Sequence, residues 1–376
     1  MIYLDNAATS FPKPRQVLRA MTGVMEKFGA NPGRGGHRLS LQAGRVVEAC
    51  REAAATLLGV RSPERVIFTR CCTESLNLAI LGSVHPGDEV ICSHGEHNAV
   101  MRVLARLVNR GDITVKVLQP DERGLLTPDT LRAAISPRTR LVVLCHASNV
   151  TGVLQPMAAL GRVCREKGVP LLVDAAQSAG TQEVTLEALQ ADMIALPGHK
   201  GLLGPHGTGL LALGENVNPE PLTVGGTGSM SESVLQPSVL PDRYESGTLN
   251  LPGIAGLLAG ISYVQRHRLE IAQREHALNE RLRSRLAALP GVRVLGDESA
   301  PRVAVTSIVP RKGDSGELAD ALDASGVAVR SGLHCAPAIH AWLGTLESGA
   351  VRFSPGPFTT QDDVDDACAL VERLTR

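Results

Sequence analysis

Met193-Ile194-Ala195-Leu196-Pro197-Gly198-His199-Lys200-Gly201 is an apolar run that ends on a lysine. The apolar residues 193–196 read as a buried strand, and Gly201, Gly204 and Gly207 read as a tightly turning loop after it. Lysine is scarce in this chain. The others are Lys13, Lys27, Lys116, Lys167 and Lys312, and Arg supplies most of the positive charge. A Lys in a loop is ordinarily a solvated charge. At the C-terminal end of a buried strand, however, the amine can be desolvated, its pKa lowered, and the neutral form used as a nucleophile toward an aldehyde.

Four further apolar runs lead up to it. Residues 169–173 end in Asp174-Ala175-Ala176-Gln177, and residues 141–145 end in His146-Ala147-Ser148-Asn149. Residues 89–92 lead into Ser93-His94-Gly95-Glu96-His97, and residues 66–68 into Thr69-Arg70-Cys71-Cys72-Thr73-Glu74. The runs are continuous rather than alternating, as in a parallel sheet covered on both faces. Ligands of open α/β sheets bind at the carboxyl ends of the strands. The fold class is therefore read as α/β, with Thr73, His97, Asn149, Asp174, Gln177 and Lys200 aimed at one crevice, and no other Lys is expected near it.

A nucleophilic Lys with these companions matches the needs of pyridoxal 5'-phosphate (PLP). The ring nitrogen stays protonated beside a carboxylate, for which Asp174 is the candidate. Thr73 begins the helical run Ser75-Leu76-Asn77-Leu78-Ala79-Ile80-Leu81, so it reads as a helix cap, a phosphate donor, or both. His97 can stack on the ring face or simply cap a surface helix. Asn149 and Gln177 can bond the ring hydroxyl, although such residues are commonly turn formers.

Several stretches carry a family resemblance over nearly the whole chain. They are Tyr3-Leu4-Asp5-Asn6-Ala7-Ala8-Thr9, Glu96-His97-Asn98-Ala99, Ser148-Asn149-Val150-Thr151-Gly152, Asp174-Ala175-Ala176-Gln177-Ser178 and Gly198-His199-Lys200. Further on come Glu245-Ser246-Gly247-Thr248-Leu249-Asn250, Arg330-Ser331-Gly332-Leu333-His334-Cys335-Ala336 and Val351-Arg352-Phe353-Ser354. Together they resemble the cysteine desulfurases of the class V aminotransferase family, in the group II branch related to SUF-type enzymes and selenocysteine lyases. The resemblance implies the PLP-dependent transferase fold type I, with Lys200 as the Schiff-base lysine, His97 stacked on the ring and Asp174 at the ring nitrogen. It also implies Gln177 and Asn149 beside the ring hydroxyl, and Thr73 and His199 at the phosphate. Thr248 would reach the phosphate of a partner subunit, which implies a homodimer, and Arg352 would bind the substrate carboxylate. Val351 and Phe353 place Arg352 in a short buried strand rather than on the surface.

Cys335 separates a desulfurase from an ordinary aminotransferase. It follows the apolar residues 327–329 in a Gly-containing loop, where His334 or an Arg can help form the thiolate. By resemblance, Lys200 moves the Cα proton of L-cysteine, Cys335 attacks the substrate sulfur, and alanine leaves. The persulfide on Cys335 then passes to an acceptor protein of the SUF type that supplies iron-sulfur clusters or thio-cofactors. Cys50, Cys145, Cys164 and Cys368 lie in apolar patterns and read as core residues. Other readings stay open: a selenocysteine lyase, a cysteine C–S lyase, a class V aminotransferase, or a sulfur-trafficking scaffold with little turnover. The chain departs from the family in two places. Pro197 replaces a hydroxyl residue expected to contact the phosphate, and Cys71-Cys72 precedes Thr73. Cys72 is read as offering its backbone N–H to the phosphate, and the vicinal pair as unable to form an unstrained disulfide.

Composition sets the remaining bounds. At 376 residues the chain exceeds one average domain. Its formal net charge of +0 argues against nucleic acid or an anionic membrane as main partner. Eight Cys without a framework spacing suit a reducing cytoplasm rather than a disulfide scaffold or a metal site. No signal peptide and no membrane-spanning stretch is read. The domains read as a large PLP-binding unit over 13–252, and a small α+β unit over 1–12 and 253–376 that carries Cys335 and Arg352. Residues 219–244, rich in Gly, Pro and Ser, read as a loop over the site or a dimer interface. Two helical patterns are expected over 254–289, strands over 302–309 and 327–329, and helices over 317–324 and 361–374, with Gly326 just beyond a helix end.

Overall fold

The computed structural model describes residues 1–32 and 35–376. The chain opens on a two-residue strand, β1 (Ile2–Tyr3), and then builds a seven-stranded sheet. Its members are β2 (Val66–Thr69), β3 (Glu89–Ser93), β4 (Thr114–Leu118), β5 (Thr139–Cys145), β6 (Leu171–Asp174), β7 (Met193–Pro197) and β8 (Gly209–Leu213). The spatial order is β2-β8-β7-β6-β5-β3-β4. Strands β4, β3, β5, β6 and β7 are parallel neighbours, and β8 runs antiparallel to both β7 and β2. The sheet is thus mainly parallel, as expected.

Both faces are covered, which accounts for the unbroken apolar runs. Val142, Leu144, Val173 and Ile194 enter one core beneath the helix Arg38–Leu58. Their neighbours Leu141, Val143, Leu172 and Met193 enter the opposite core, with the helices Cys72–Leu81 and Asn98–Asn109. Successive strand residues point to opposite faces, so a sheet buried twice needs apolar side chains at every position.

The C-terminal part forms a second sheet from β9 (Val292–Val294), β10 (Thr306–Pro310), β12 (Arg330–Gly332) and β13 (Ala350–Phe353), in the order β12-β13-β10-β9 and antiparallel throughout. Strand β11 (Val327–Ala328) pairs in parallel with β1. Leu4, Ile308, Leu322, Val351, Phe353 and Val364 share the core beneath these strands. The helix Gln361–Leu374 has the expected bounds, whereas the helix Ser315–Ala324 starts earlier than expected, on a capping box of Asp314 and Glu317. Gly326 has φ +85° just past that helix.

Three details differ from expectation. The two helical patterns over 254–289 are one helix, Leu251–Ala287, of 37 residues. Its early apolar positions pack on the large sheet, and Leu278, Leu282 and Leu286 pack on the small one. The polar stretch between imitates a break, yet no Pro or Gly interrupts the hydrogen bonds there. Regular pairing in the 302–309 segment begins only at Thr306, because Arg302 forms an isolated bridge to Val153. Of the 327–329 run only Val327–Ala328 is strand, β11, which serves β1, and a separate strand, β12, follows it at Arg330–Gly332 and serves β13.

Candidate active site

Asp174 is the last residue of β6 and is buried. Its Oδ1 accepts the Ala176 backbone N–H at 2.9 Å and lies 3.7 Å from Cys72 Sγ. Lys200 follows β7, the neighbouring strand. Burial lowers the pKa of its amine; Asp174 opposes this and Arg352 adds to it. The loops after β6 and β7 touch backbone to backbone. A Cβ on Gly201 would stand 1.9 Å from the Ala179 carbonyl oxygen, so only Gly fits and Lys200 is held beside Asp174.

His97 does cap a helix: its Nδ1 accepts the Ala99 N–H at 2.9 Å at the start of Asn98–Asn109. It also feels the site, because burial lowers its pKa while Asp174 raises it and Lys200 lowers it. Glu96, which the motif reading did not single out, is fully buried. Its Oε1 accepts the Ser93 hydroxyl at 2.5 Å and the Cys145 N–H at 2.9 Å, tying the ends of β3 and β5 together. Burial pushes its carboxyl up to about 8.

Thr73 is not the helix cap. The N-cap is Cys71, with extended backbone, and its carbonyl accepts the Ser75 N–H at 3.2 Å; Thr73 sits inside the first turn. Gln177 donates from Nε2 to the Ala7 carbonyl at 3.0 Å. His199 Nδ1 lies 3.1 Å from Thr9 Oγ1, and the ring stacks on His206. Contrary to expectation, a second lysine approaches this strand end. Lys13 Nζ donates to the His199 carbonyl at 2.7 Å and to Ser10 Oγ at 2.6 Å, and burial lowers its pKa to about 8. Thr248 lines a separate cavity of about 490 Å3 together with Arg70 and Glu74.

The cysteine loop leaves β12 and is latched onto the large sheet. Asn149 Nδ2 donates to the His334 carbonyl at 2.6 Å, and the Asn98 N–H donates to the Cys335 carbonyl at 2.7 Å. His334 and Cys335 have φ +51° and +59°, a left-handed pair that side-chain-bearing residues adopt only when held. Cys335 is partly exposed, and Arg330 Nη2 lies 3.6 Å from its Sγ. His334 does not assist the thiol. Its ring is turned into the interior, Nε2 is 3.1 Å from the Arg330 carbonyl, and burial, with Arg352 second, lowers its pKa to about 3. The neighbouring cation is Arg330.

Arg352 lies in β13 and is 1% exposed. Nη2 donates to Asp5 at 2.8 Å, Nη1 donates to the Asn149 carbonyl at 3.2 Å, and Nε has no partner among the described residues. Cys50, Cys145, Cys164 and Cys368 are buried; burial pushes Cys50 and Cys164 up to about 12 and Cys368 to about 11, and raises Cys145. Unlike these four, Cys335 is partly exposed.

These groups suit PLP. A buried carboxylate with one oxygen already accepting an N–H, an amine whose proton affinity is lowered, and a buried guanidinium with an unused N–H fit a ring nitrogen, an aldehyde carbon and a carboxylate respectively.

The aminotransferase class-V family model matches residues 2–366. A probable cysteine desulfurase of Methanothermobacter thermautotrophicus is 36% identical over 371 residues, covering 96% of this chain and 92% of that protein. A cysteine desulfurase of Salmonella newport is 33% identical over 100% of this chain and 94% of its own length. The apo structure of the cysteine desulfurase from Thermococcus onnurineus NA1 superposes with a TM-score of 0.93 at 34% identity, covering 100% of this chain and 94% of that one. With these likenesses running its whole length, the chain belongs to the class-V aminotransferase family of PLP-dependent enzymes.

Proposed function

We propose that this protein is a cysteine desulfurase that converts L-cysteine to L-alanine and carries the sulfur as a persulfide on Cys335. The observation that carries the reading is the thiol of Cys335, partly exposed beside Arg330 and latched by Asn98 and Asn149 onto the strand ends that hold Asp174 and Lys200. PLP, when bound, withdraws electrons from the substrate carbon skeleton. Asp174 would keep the ring nitrogen protonated, His97 would cover the ring face, and Gln177 and Asn149 would meet the ring hydroxyl. The first turn of Cys72–Leu81, with Thr73 and the Cys72 N–H, and His199 would hold the phosphate. Arg352, braced by Asp5, binds the substrate carboxylate through a planar fork. Lys200, as free amine, takes the Cα proton. The Cys335 thiolate attacks the substrate sulfur: the S–S bond forms, the substrate C–S bond breaks with its electron pair left on Cβ, Cβ takes a proton, Lys200 returns the proton to Cα, and the carbon skeleton leaves as alanine. Arg330 is the cation beside the attacking sulfur, with Nη2 3.6 Å from Sγ.

This division of labour assigns 13–252 to cofactor binding, and 1–12 with 253–376 to the cysteine loop and the carboxylate site. A homodimer is supported by Thr248, which lies apart from Lys200, and by Val224, Val234, Leu235 and Val239, which are exposed in a stretch without helix or strand. The group II assignment, a SUF-type sulfur acceptor and a cytoplasmic location belong to the same proposal. Among the described residues no helix is long and apolar enough to cross a membrane. The test is a product assay on cysteine and on selenocysteine, with and without a thiol reductant. Alanine with persulfide sulfur from cysteine supports the reading. Pyruvate with ammonia overturns it in favour of a C–S lyase.

A further inference from the structure

A second thiol reaches the centre of the site. Cys72 opens the helix Cys72–Leu81, is buried, and directs Sγ to within 3.7 Å of Asp174 Oδ1, a sulfur hydrogen-bond distance. The same Oδ1 takes the Ala176 N–H, while Oδ2 has no hydrogen-bond partner among the described residues. Cys145, which is paired with Asp174 across the sheet, cannot substitute, because its Sγ is turned to the Ala147 carbonyl at 3.0 Å. Burial, and after it the Asp174 charge, push the Cys72 thiol well above its ordinary range, so it remains an S–H donor and no nucleophile.

We propose that Cys72 is a positioning residue whose S–H, together with the Ala176 N–H, clamps Oδ1 of Asp174 and so presents Oδ2 to the ring nitrogen of the cofactor. The inference rests on Asp174 being the ring-nitrogen partner. Two fixed donors on one oxygen leave the carboxylate a single orientation. A thiol is a weaker donor than a hydroxyl, so it fixes that orientation while leaving the carboxylate basic enough to hold the ring proton. This contact differs from any role of the Cys72 backbone at the phosphate, because it needs the side chain.

The experiment compares wild type, Cys72→Val, Cys72→Ser, Asp174→Asn and the double variant Cys72→Val/Asp174→Asn. PLP affinity is titrated on the apo-protein, and the visible spectrum of the loaded protein is followed with pH. Cys72→Val fills the space but cannot donate; it is expected to weaken PLP binding about five-fold, the size of one modest hydrogen bond, and to shift the pH at which the visible band changes. Cys72→Ser, which keeps a donor, is expected to restore the affinity and, as the stronger donor, to move the band's pH away from its position in Cys72→Val without matching wild type. In the Asp174→Asn background Cys72→Val should have no further effect. If Cys72→Val changes neither readout while Asp174→Asn changes both, the clamp is refuted and the ring-nitrogen assignment stands. If Asp174→Asn changes neither, that assignment fails and the clamp falls with it. A Cys72→Val that fails to fold leaves Cys72→Ser and the double variant built on Cys72→Ala to decide. A spectrum insensitive to the donor overturns the proposal.

Discussion

Lys200, Asp174 and Cys335 stand out in the sequence as single residues: lysine is scarce, Asp174 ends an apolar run, and Cys335 lies in a Gly-containing loop beyond one. What their neighbours do was less legible. Arg330 stands five residues before Cys335, and only the turn through two left-handed residues brings its guanidinium to the thiol in place of His334. Arg330→Ala is therefore expected to slow alkylation of Cys335 by iodoacetamide at neutral pH several-fold, while His334→Gln changes it little. Equal rates for wild type and Arg330→Ala would remove Arg330 from the thiolate's surroundings. The unforeseen Lys13 sharpens a second prediction. Borohydride reduction of the PLP-loaded protein, followed by peptide mapping, should place the pyridoxyl group on Lys200 and leave Lys13 unmodified. Label on Lys13 would move the nucleophile to the other side of the His199 carbonyl.

At the scale of elements, continuous apolar runs disclosed β5, β6 and β7, since burial on two faces leaves no room for polar residues. Strand β8 was harder to place: its direction is set by the short return through 198–208, not by its composition. The length of Leu251–Ala287 was hidden for a related reason, because a helix that spans two cores looks polar where it crosses between them. Burial also conceals ion pairs from a sequence reading. Arg51, on Arg38–Leu58, forms two 2.8 Å bonds with Glu245, whose Oε1 also accepts the Phe68 N–H at 2.7 Å. The pair fastens the segment carrying Thr248 to β2, and both side chains are almost wholly buried. Arg51→Met is expected to destabilise the fold by about 3–5 kcal/mol, because it strands the Glu245 carboxylate. A change below about 1 kcal/mol in urea unfolding, a value typical of surface pairs, would contradict this.

For the molecule as a whole, the acid that ties β3 to β5 makes stability depend on pH. Glu96 keeps its proton in the folded chain up to about 8, against an ordinary value of 4.5. Between those limits the unfolded chain has released a proton that the native chain still holds. Stability therefore falls as pH rises through that window and levels off above it. Glu96→Gln retains an oxygen for Ser93 and Cys145 but has no proton to lose. Its stability relative to wild type should rise between about pH 5 and about pH 9, as measured by urea unfolding; a constant difference would mean that Glu96 is ionised throughout. In the proposed reaction the loop after β12 brings a thiol to a substrate held at the strand ends of the large sheet. The most direct measurement is mass spectrometry of the PLP-loaded protein after a brief exposure to L-cysteine, with released alanine quantified in parallel for wild type and Cys335→Ser. The account predicts one added sulfur on the Cys335 peptide of wild type and no alanine from Cys335→Ser, which still binds PLP. Undiminished alanine from Cys335→Ser, with no added sulfur on Cys335 in wild type, would contradict it.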